Sequence, residues 1–185
     1  YQTMFAQQEG AIAAPTAGLH FTRELVKALT AKGIELAQVT LHVGPGTFRS
    51  VKSDRIEEHR MLAEQVEVTA HTVEQIRLVQ KRGNRVVAVG TTVVRALETA
   101  ARGGHGIQPF QGPAELFITP GFDFQVIDAL VTNFHLPRTT LLMLVSAFVG
   151  LESLRAAYAE AVAERYRFYS YGDAMLIGRG VTAAT

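Results

Sequence analysis

The run Val86-Val87-Ala88-Val89-Gly90-Thr91-Thr92-Val93-Val94-Arg95-Ala96-Leu97-Glu98 constrains the fold more than any other stretch of the chain. Its short β-branched start reads as a buried strand, Gly90 as a sharp turn, and the spacing after Thr92 as a helix entered at once. A strand handed directly to a helix must be packed in layers, since each element has to bury one side against the other. Neighbouring segments continue the alternation. Thr22 predicts a helix start, with Glu24 in the first turn, Leu25, Val26 and Leu29 on one face, and Gly33 as the stop. Ile34 to Val43 reads as a strand ending at Gly44-Pro45-Gly46, and Thr69 to Arg82 as a helix stopped by Gly83-Asn84. Residues 102–113, rich in glycine and proline, read as a surface loop. Glu115 to Thr119 reads as a strand, and Phe122, Phe124 and Val126 as a hairpin or bent strand pair. Arg138 to Phe148 predicts an internal apolar helix and Leu151 to Tyr166 an amphipathic one, parted by Gly150. The expected fold is α/β, a layered mixed or parallel sheet flanked by helices, in a single domain over residues 1–185.

With 185 residues, 48% apolar and 19% charged, the chain is long enough to bury a core, and a soluble globular domain is expected. The longest apolar stretch, Leu141 to Val149, is interrupted by Ser146 and falls well short of the roughly 20 residues that span a bilayer, so no membrane segment is read. The start, Tyr1-Gln2-Thr3-Met4, has no initiator methionine and no secretory signal, which predicts that the true beginning is missing. The lack of cysteine leaves no disulfide or thiolate ligand and fits a reducing, cytoplasmic setting. A formal net charge of +1 argues against a broad nucleic-acid surface; any such contact has to be local or lie elsewhere.

Several residues could carry chemistry. The turn Gly90-Thr91-Thr92 directs free backbone N–H groups outward, and with two hydroxyls and Arg95 one turn later it suits a carboxylate or phosphate. The alternative is an ordinary N-cap, with Arg95 paired to Glu98 or solvated. His42, before Gly44-Pro45-Gly46-Thr47, and His135, within Thr132-Asn133-Phe134-His135-Leu136-Pro137, both stand where a rigid element meets a turn, a good place for a general base. Hydrogen-bonded structural roles remain open for both. His20, His42, His59 and His135 lack the helical i, i+4 pairing of a zinc site, and no metal is read from them. Asp128 and Asp173 have no second carboxylate at a diagnostic spacing. Tyr166, Phe168, Tyr169 and Tyr171, interleaved with Arg165 and Arg167, could stack a base and hold its phosphate, or could simply pack.

Together the strings APTAGLHF, LHVGPGTFR, VGTTVVRALE, FITPGFDFQVIDALVTNFHLP, TTLLMLVSAF and YSYGDAMLI resemble, in order, the C-terminal part of the S-adenosylmethionine:tRNA ribosyltransferase-isomerase family of queuosine synthesis. That resemblance implies transfer of the ribosyl part of S-adenosylmethionine to the aminomethyl group of a 7-deazaguanine in tRNA. Epoxyqueuosine forms, and adenine and methionine leave. S-adenosylmethionine is then a co-substrate, with no bound cofactor or metal implied. Such a reaction needs a base for a proton acidified by the sulfonium, a donor to departing adenine, and a site for an amino-acid carboxylate. Read on this sequence, His42, His135 and His20 are the candidate bases or orienting donors, with Asn133 as a neutral donor or acceptor. Gly90, Thr91, Thr92 and Arg95 are the candidate cradle, and Pro15, Thr16, Gly44, Gly46, Thr47, Tyr171 and Asp173 further substrate contacts. Where the family pattern is H-x-M-H-x-E, this chain has His59-Arg60-Met61-Leu62-Ala63-Glu64, so Leu62 replaces the second histidine. The resemblance also implies a protein about twice as long, with an N-terminal portion and an inserted β-barrel absent here. Partners would be tRNA, S-adenosylmethionine and the missing portion; a non-catalytic tRNA-binding remnant is the alternative. With so little net charge, this chain alone is expected to bind tRNA weakly, and Arg165→Ala with Arg167→Ala to weaken it further, as read by filter binding across a salt series.

Overall fold

The computed structural model describes residues 1–44 and 61–178. Its strands form two three-stranded sheets where the sequence suggested one. The first is antiparallel, with β1 (Thr40–His42) beside β2 (Glu64–Val68) and β2 beside β4 (Phe110–Ala114). In the second, β3 (Val87–Val89) runs parallel to β5 (Ala129–Asn133), which pairs antiparallel with β6 (Ala174–Gly178). Among the described residues five α-helices accompany them: α1 (Arg23–Ala31), α2 (Ala70–Lys81), α3 (Thr91–Ala100), α4 (Thr140–Val149) and α5 (Leu151–Ala163).

Local signals place the helix starts. The hydroxyls of Thr22, Thr69 and Thr139 accept from the N–H groups of Leu25, Thr72 and Leu142, each satisfying one orphan donor of a first turn. Gly33 and Gly83 follow α1 and α2 with positive φ, as helix stops do. Gly150 ends α4 and begins α5, and the two helices bend by 115° there. Among the described residues no single helix is long and apolar enough to cross a membrane.

Other expectations fail for tertiary reasons. Only Thr40–His42 of the anticipated 34–43 strand forms a ladder. Residues 102–113, read as a loop, contribute β4, which tolerates Gly112 and Pro113 because it lies at a sheet edge. The expected strand at 115–119 and the hairpin after it are irregular, although Leu116, Ile118, Phe124, Val126 and Ile127 are buried. Side chains take up several of that segment's backbone groups. Arg95 Nε donates to Leu116 O (3.1 Å), and Glu98 accepts from the N–H groups of Gln125, Val126 and Ile127 (2.8, 3.1 and 3.3 Å).

Both charges come from α3 and are buried. Arg95 Nη1 also meets Glu64 Oε2 at 2.7 Å, while Nη2 donates to the carbonyls of Ala114 (2.7 Å) and Leu62 (3.4 Å). Neither pairing suggested for Arg95, Glu98 or solvent, is what forms. The guanidinium bolts α3 to the first sheet through β2 and the end of β4. Burial pulls Arg95 below its ordinary pKa, and the charge of Glu64 opposes that shift. Removing one member leaves a buried charge uncompensated. Glu64→Gln is expected to destabilise the fold by about 3–5 kcal/mol, and Glu64→Leu combined with Arg95→Met by much less than the sum of the single changes, measured by urea unfolding.

Candidate functional site

The helix α3 begins without a side-chain cap. Gly90 holds the N-cap position at φ 101°, a conformation that favours glycine, and its N–H donates to Val131 O at 2.8 Å. Thr91 and Thr92 thus lie at the strand-to-helix turn as anticipated, but their hydroxyls do not cap it. Both side chains are buried, and among the described residues neither hydroxyl has a hydrogen-bond partner; both face a cleft. The N–H groups of Thr91, Thr92 and Val93 open the first helical turn there, at the positive end of the helix dipole.

Across the cleft, β5 delivers Thr132, Asn133 and, just past its end, His135. Asn133 is a hub. Its Nδ2 lies 3.2 Å from Tyr169 O and 3.0 Å from His20 Nε2, and its Oδ1 accepts from Thr16 Oγ1 at 3.4 Å. A carbonyl only accepts, so Nδ2 is a donor there; His20 Nε2 is then an acceptor and the proton of that ring sits on Nδ1. His135 Nε2 lies 2.9 Å from Thr132 Oγ1. Tyr158 of α5 clamps the His135 backbone, its hydroxyl accepting from His135 N (2.7 Å) and donating to His135 O (3.1 Å). Burial raises the Tyr158 phenol to about 12, with the His135 N–H opposing, and the phenol stays protonated. The same burial lowers the His135 imidazole to about 4, so the ring is neutral near neutral pH.

The cleft is small, about 30 Å³, and is closed by Ala14, Pro15, Thr16 and Tyr169. Val43 O accepts from Ile12 and Ala13 N–H (3.0 and 3.3 Å), which fixes the approach of the Pro15-Thr16 turn. A space of this size takes a carboxylate-sized group and not a nucleoside, whose pockets run to several hundred Å³.

The candidate residues therefore divide. His135, Asn133, Gly90, Thr91, Thr92, Pro15 and Thr16 line one cleft. His20 touches it through Asn133. His42 does not line it: its ring packs on Gly10, where an added Cβ would stand 3.0 Å from Nδ1, although the next residue, Val43, is in the wall. Gly44 follows that wall residue and is not part of the lining. Arg95 is committed to Glu64 and three carbonyls, facing away from the cradle assigned to it. Asp173 accepts from Arg167 N (2.8 Å) and Nη2 (3.0 Å), and these bonds, with the charges of Arg167 and then His20, hold its carboxyl below the ordinary range. Gly46, Thr47 and His59 lie outside the described residues, as does the side chain of Tyr171. The rings of Tyr166 and Phe168, candidates for base stacking, instead pack on Phe134 with centroids 5.6 and 5.2 Å away. Sequence reasoning missed Tyr158, whose only signal is a tyrosine on the amphipathic helix α5.

The α/β fold thus sets the uncapped N-terminus of α3 opposite a neutral histidine and an amide hub. The chain belongs to the queuosine biosynthesis protein family, whose model matches residues 1–177. It is 61% identical over 177 residues to the S-adenosylmethionine:tRNA ribosyltransferase-isomerase of Acidithiobacillus ferrooxidans, covering 96% of this chain and 51% of that protein. To the protein of the same name from Acidiphilium cryptum it is 57% identical, covering 97% of this chain and 52% of the relative. A crystal structure of S-adenosylmethionine tRNA ribosyltransferase from Thermotoga maritima superposes with a TM-score of 0.73 at 52% identity, covering 87% of this chain and 51% of that one. The chain spans about half the length of the relatives it matches.

The depressed pKa of His135 has a thermodynamic consequence. The folded protein keeps this ring neutral down to about 4, whereas the unfolded chain protonates it near 6.5. Between those values the unfolded state binds more protons, so stability falls as pH falls, by about 3 kcal/mol in all from this group. His135→Gln is expected to flatten that part of the stability profile, read by urea denaturation at intervals from pH 7 to 4.

Proposed function

We propose that this chain is the C-terminal half of a cytoplasmic S-adenosylmethionine:tRNA ribosyltransferase-isomerase, forming one α/β domain of a longer enzyme that also carries an N-terminal portion and an inserted barrel. Its reaction moves the ribosyl part of S-adenosylmethionine onto the aminomethyl-7-deazaguanine of tRNA, giving epoxyqueuosine and releasing adenine and methionine. The single observation that carries the site assignment is the convergence of the Thr91 and Thr92 hydroxyls with the open first turn of α3 in a cleft of about 30 Å³. Such a cradle fits the amino-acid carboxylate of S-adenosylmethionine, stabilised by N–H donors and the helix dipole. The remainder of the co-substrate and the tRNA base then lie against surfaces supplied by the rest of the enzyme.

Within this reading His135 orients and does not take the proton. Its burial already disfavours the charged ring, and a sulfonium nearby disfavours it further. His20 is the remaining candidate base: it is only partly buried, the Asp173 carboxylate stands near it, and taking a proton at Nε2 requires that the bond from Asn133 Nδ2 be given up. His42 holds the N-terminal segment through Gly10. The test uses the intact Acidithiobacillus relative with substitutions at the aligned positions, following adenine release. Thr92→Val is expected to raise the KM for S-adenosylmethionine roughly 10-fold with kcat little changed, the scale of losing a hydrogen bond to a charged group. His20→Ala is expected to lower kcat about 100-fold. An unchanged KM in the threonine variant overturns the carboxylate assignment, and full turnover in the histidine variant overturns the base.

A further inference from the structure

Beside the cleft, and sharing Pro15 and Val93 with its wall, runs a groove of about 860 Å³ lined by the outer side of β3 together with Phe5, Leu36, Ile76 and Val79. In the second sheet β3 has a neighbour on one side only, β5. Its bonds toward β5 use alternate residues: Val86 O accepts from Ala129 N (3.2 Å), and Gly90 N donates to Val131 O (2.8 Å). By the same alternation the N–H and C=O groups of Val87 and Val89 point the other way, into the groove. Among the described residues no backbone partner stands against them. A strand paired in parallel is normally covered, and exposed edges are normally blunted by charge or proline, as β4 is by Pro113. Nothing blunts β3. It is a run of apolar residues in which Val87 is 47% exposed, facing a groove where Leu36 is 41% exposed.

We infer that the outer edge of β3 is a strand-addition site for the part of the family protein that this chain does not span. An extended segment pairs there with the backbone of Val87 and Val89 and lays alternate apolar side chains among Phe5, Leu36, Ile76 and Val79. The choice of occupant rests on length. Relatives that match 96–97% of this chain are only 51–52% covered by it, so each carries as much polypeptide again to be placed somewhere. This deepens the reading of the chain as half of an enzyme and is independent of the chemistry, since no part of it concerns turnover.

Amide hydrogen exchange of the 185-residue chain, beside that of the intact Acidithiobacillus ferrooxidans relative, tests it. Expected is fast exchange at Val87 and Val89 in the chain and exchange at least about 100-fold slower at the aligned positions in the intact relative, with Leu130 slow in both. Fast exchange at those positions in the intact relative overturns the inference. So does slow exchange in the monomeric chain, which would mean that the edge is already satisfied. Protection that appears only as the chain self-associates with rising concentration assigns the edge to a second copy and overturns it as well. A second measurement uses Val87→Pro, which removes an N–H pointing away from β5 and leaves the β3–β5 ladder intact. The urea midpoint of the isolated chain is expected to stay put while that of the intact relative falls; equal behaviour of the two overturns the inference.

Discussion

Two buried charges on one helix hold this fold together. Arg95 and Glu98 stand three residues apart on α3, Arg95 turned to the first sheet and Glu98 to the segment that leads into the second. Arg95 reaches Glu64 on β2 and the carbonyl of Ala114 on β4, and Glu98 gathers the N–H groups of residues 125–127 just ahead of β5. Neither sheet has enough strands to form a wide layer by itself. A helix that satisfies polar groups of the first sheet and of the segment leading into the second makes one core of them, with Val94, Leu97 and Ala100 of α3 among its members. Directional bonds of this kind cost desolvation, so they are poor sources of net stability, but they admit only one placement of α3 against its neighbours.

That placement decides what the cleft can be. With the guanidinium drawn off to Glu64, no cationic side chain among the described residues lines the cleft, and His135 is kept neutral by burial. Under the proposed assignment, the hydroxyls of Thr91 and Thr92, the N–H groups and the helix dipole are what the cleft offers a carboxylate. Gly90 belongs to the same design. Its positive φ turns the chain from β3 into α3 with no side-chain cap, so the first turn is left open to a ligand.

Much of this was legible in the sequence, and the parts that were not share a cause. Thr22, Thr69 and Gly33 act within a few residues of themselves, so the helices they bound could be read locally. The β3-to-α3 turn was equally plain, and the cleft residues Pro15, Thr16, Thr91, Thr92, Asn133 and His135 were named as candidates. Glu64 was not readable as buried, because its burial depends on a cation 31 positions away. Gly112 and Pro113 look like a loop until the strand carrying them is found at an edge. Residues 115–128 have the apolar content of strands without the ladder, since Arg95 and Glu98 take bonds a neighbouring strand would otherwise make. Arg95 was misassigned for the same reason: sequence shows its distance from Thr91 along the helix, not the face on which it projects.

The cleft and the β3 edge are two ends of one element. Parallel strands collect ligands beyond their carboxyl ends, and the carboxyl end of β3 is Gly90. A strand added alongside Val87 and Val89 therefore finishes or begins within one residue pair of the uncapped turn, and brings its own side chains to the rim of a space otherwise sized only for a carboxylate. On this geometry the docked segment is more than a cover for exposed valines. It would be held by the same strand that leads into α3, so the order that α3 imposes on the two sheets passes through β3 to whatever stands beside it. The open first turn of α3 lies on the rigid side of that junction, between β3 and the core that Arg95 and Glu98 hold.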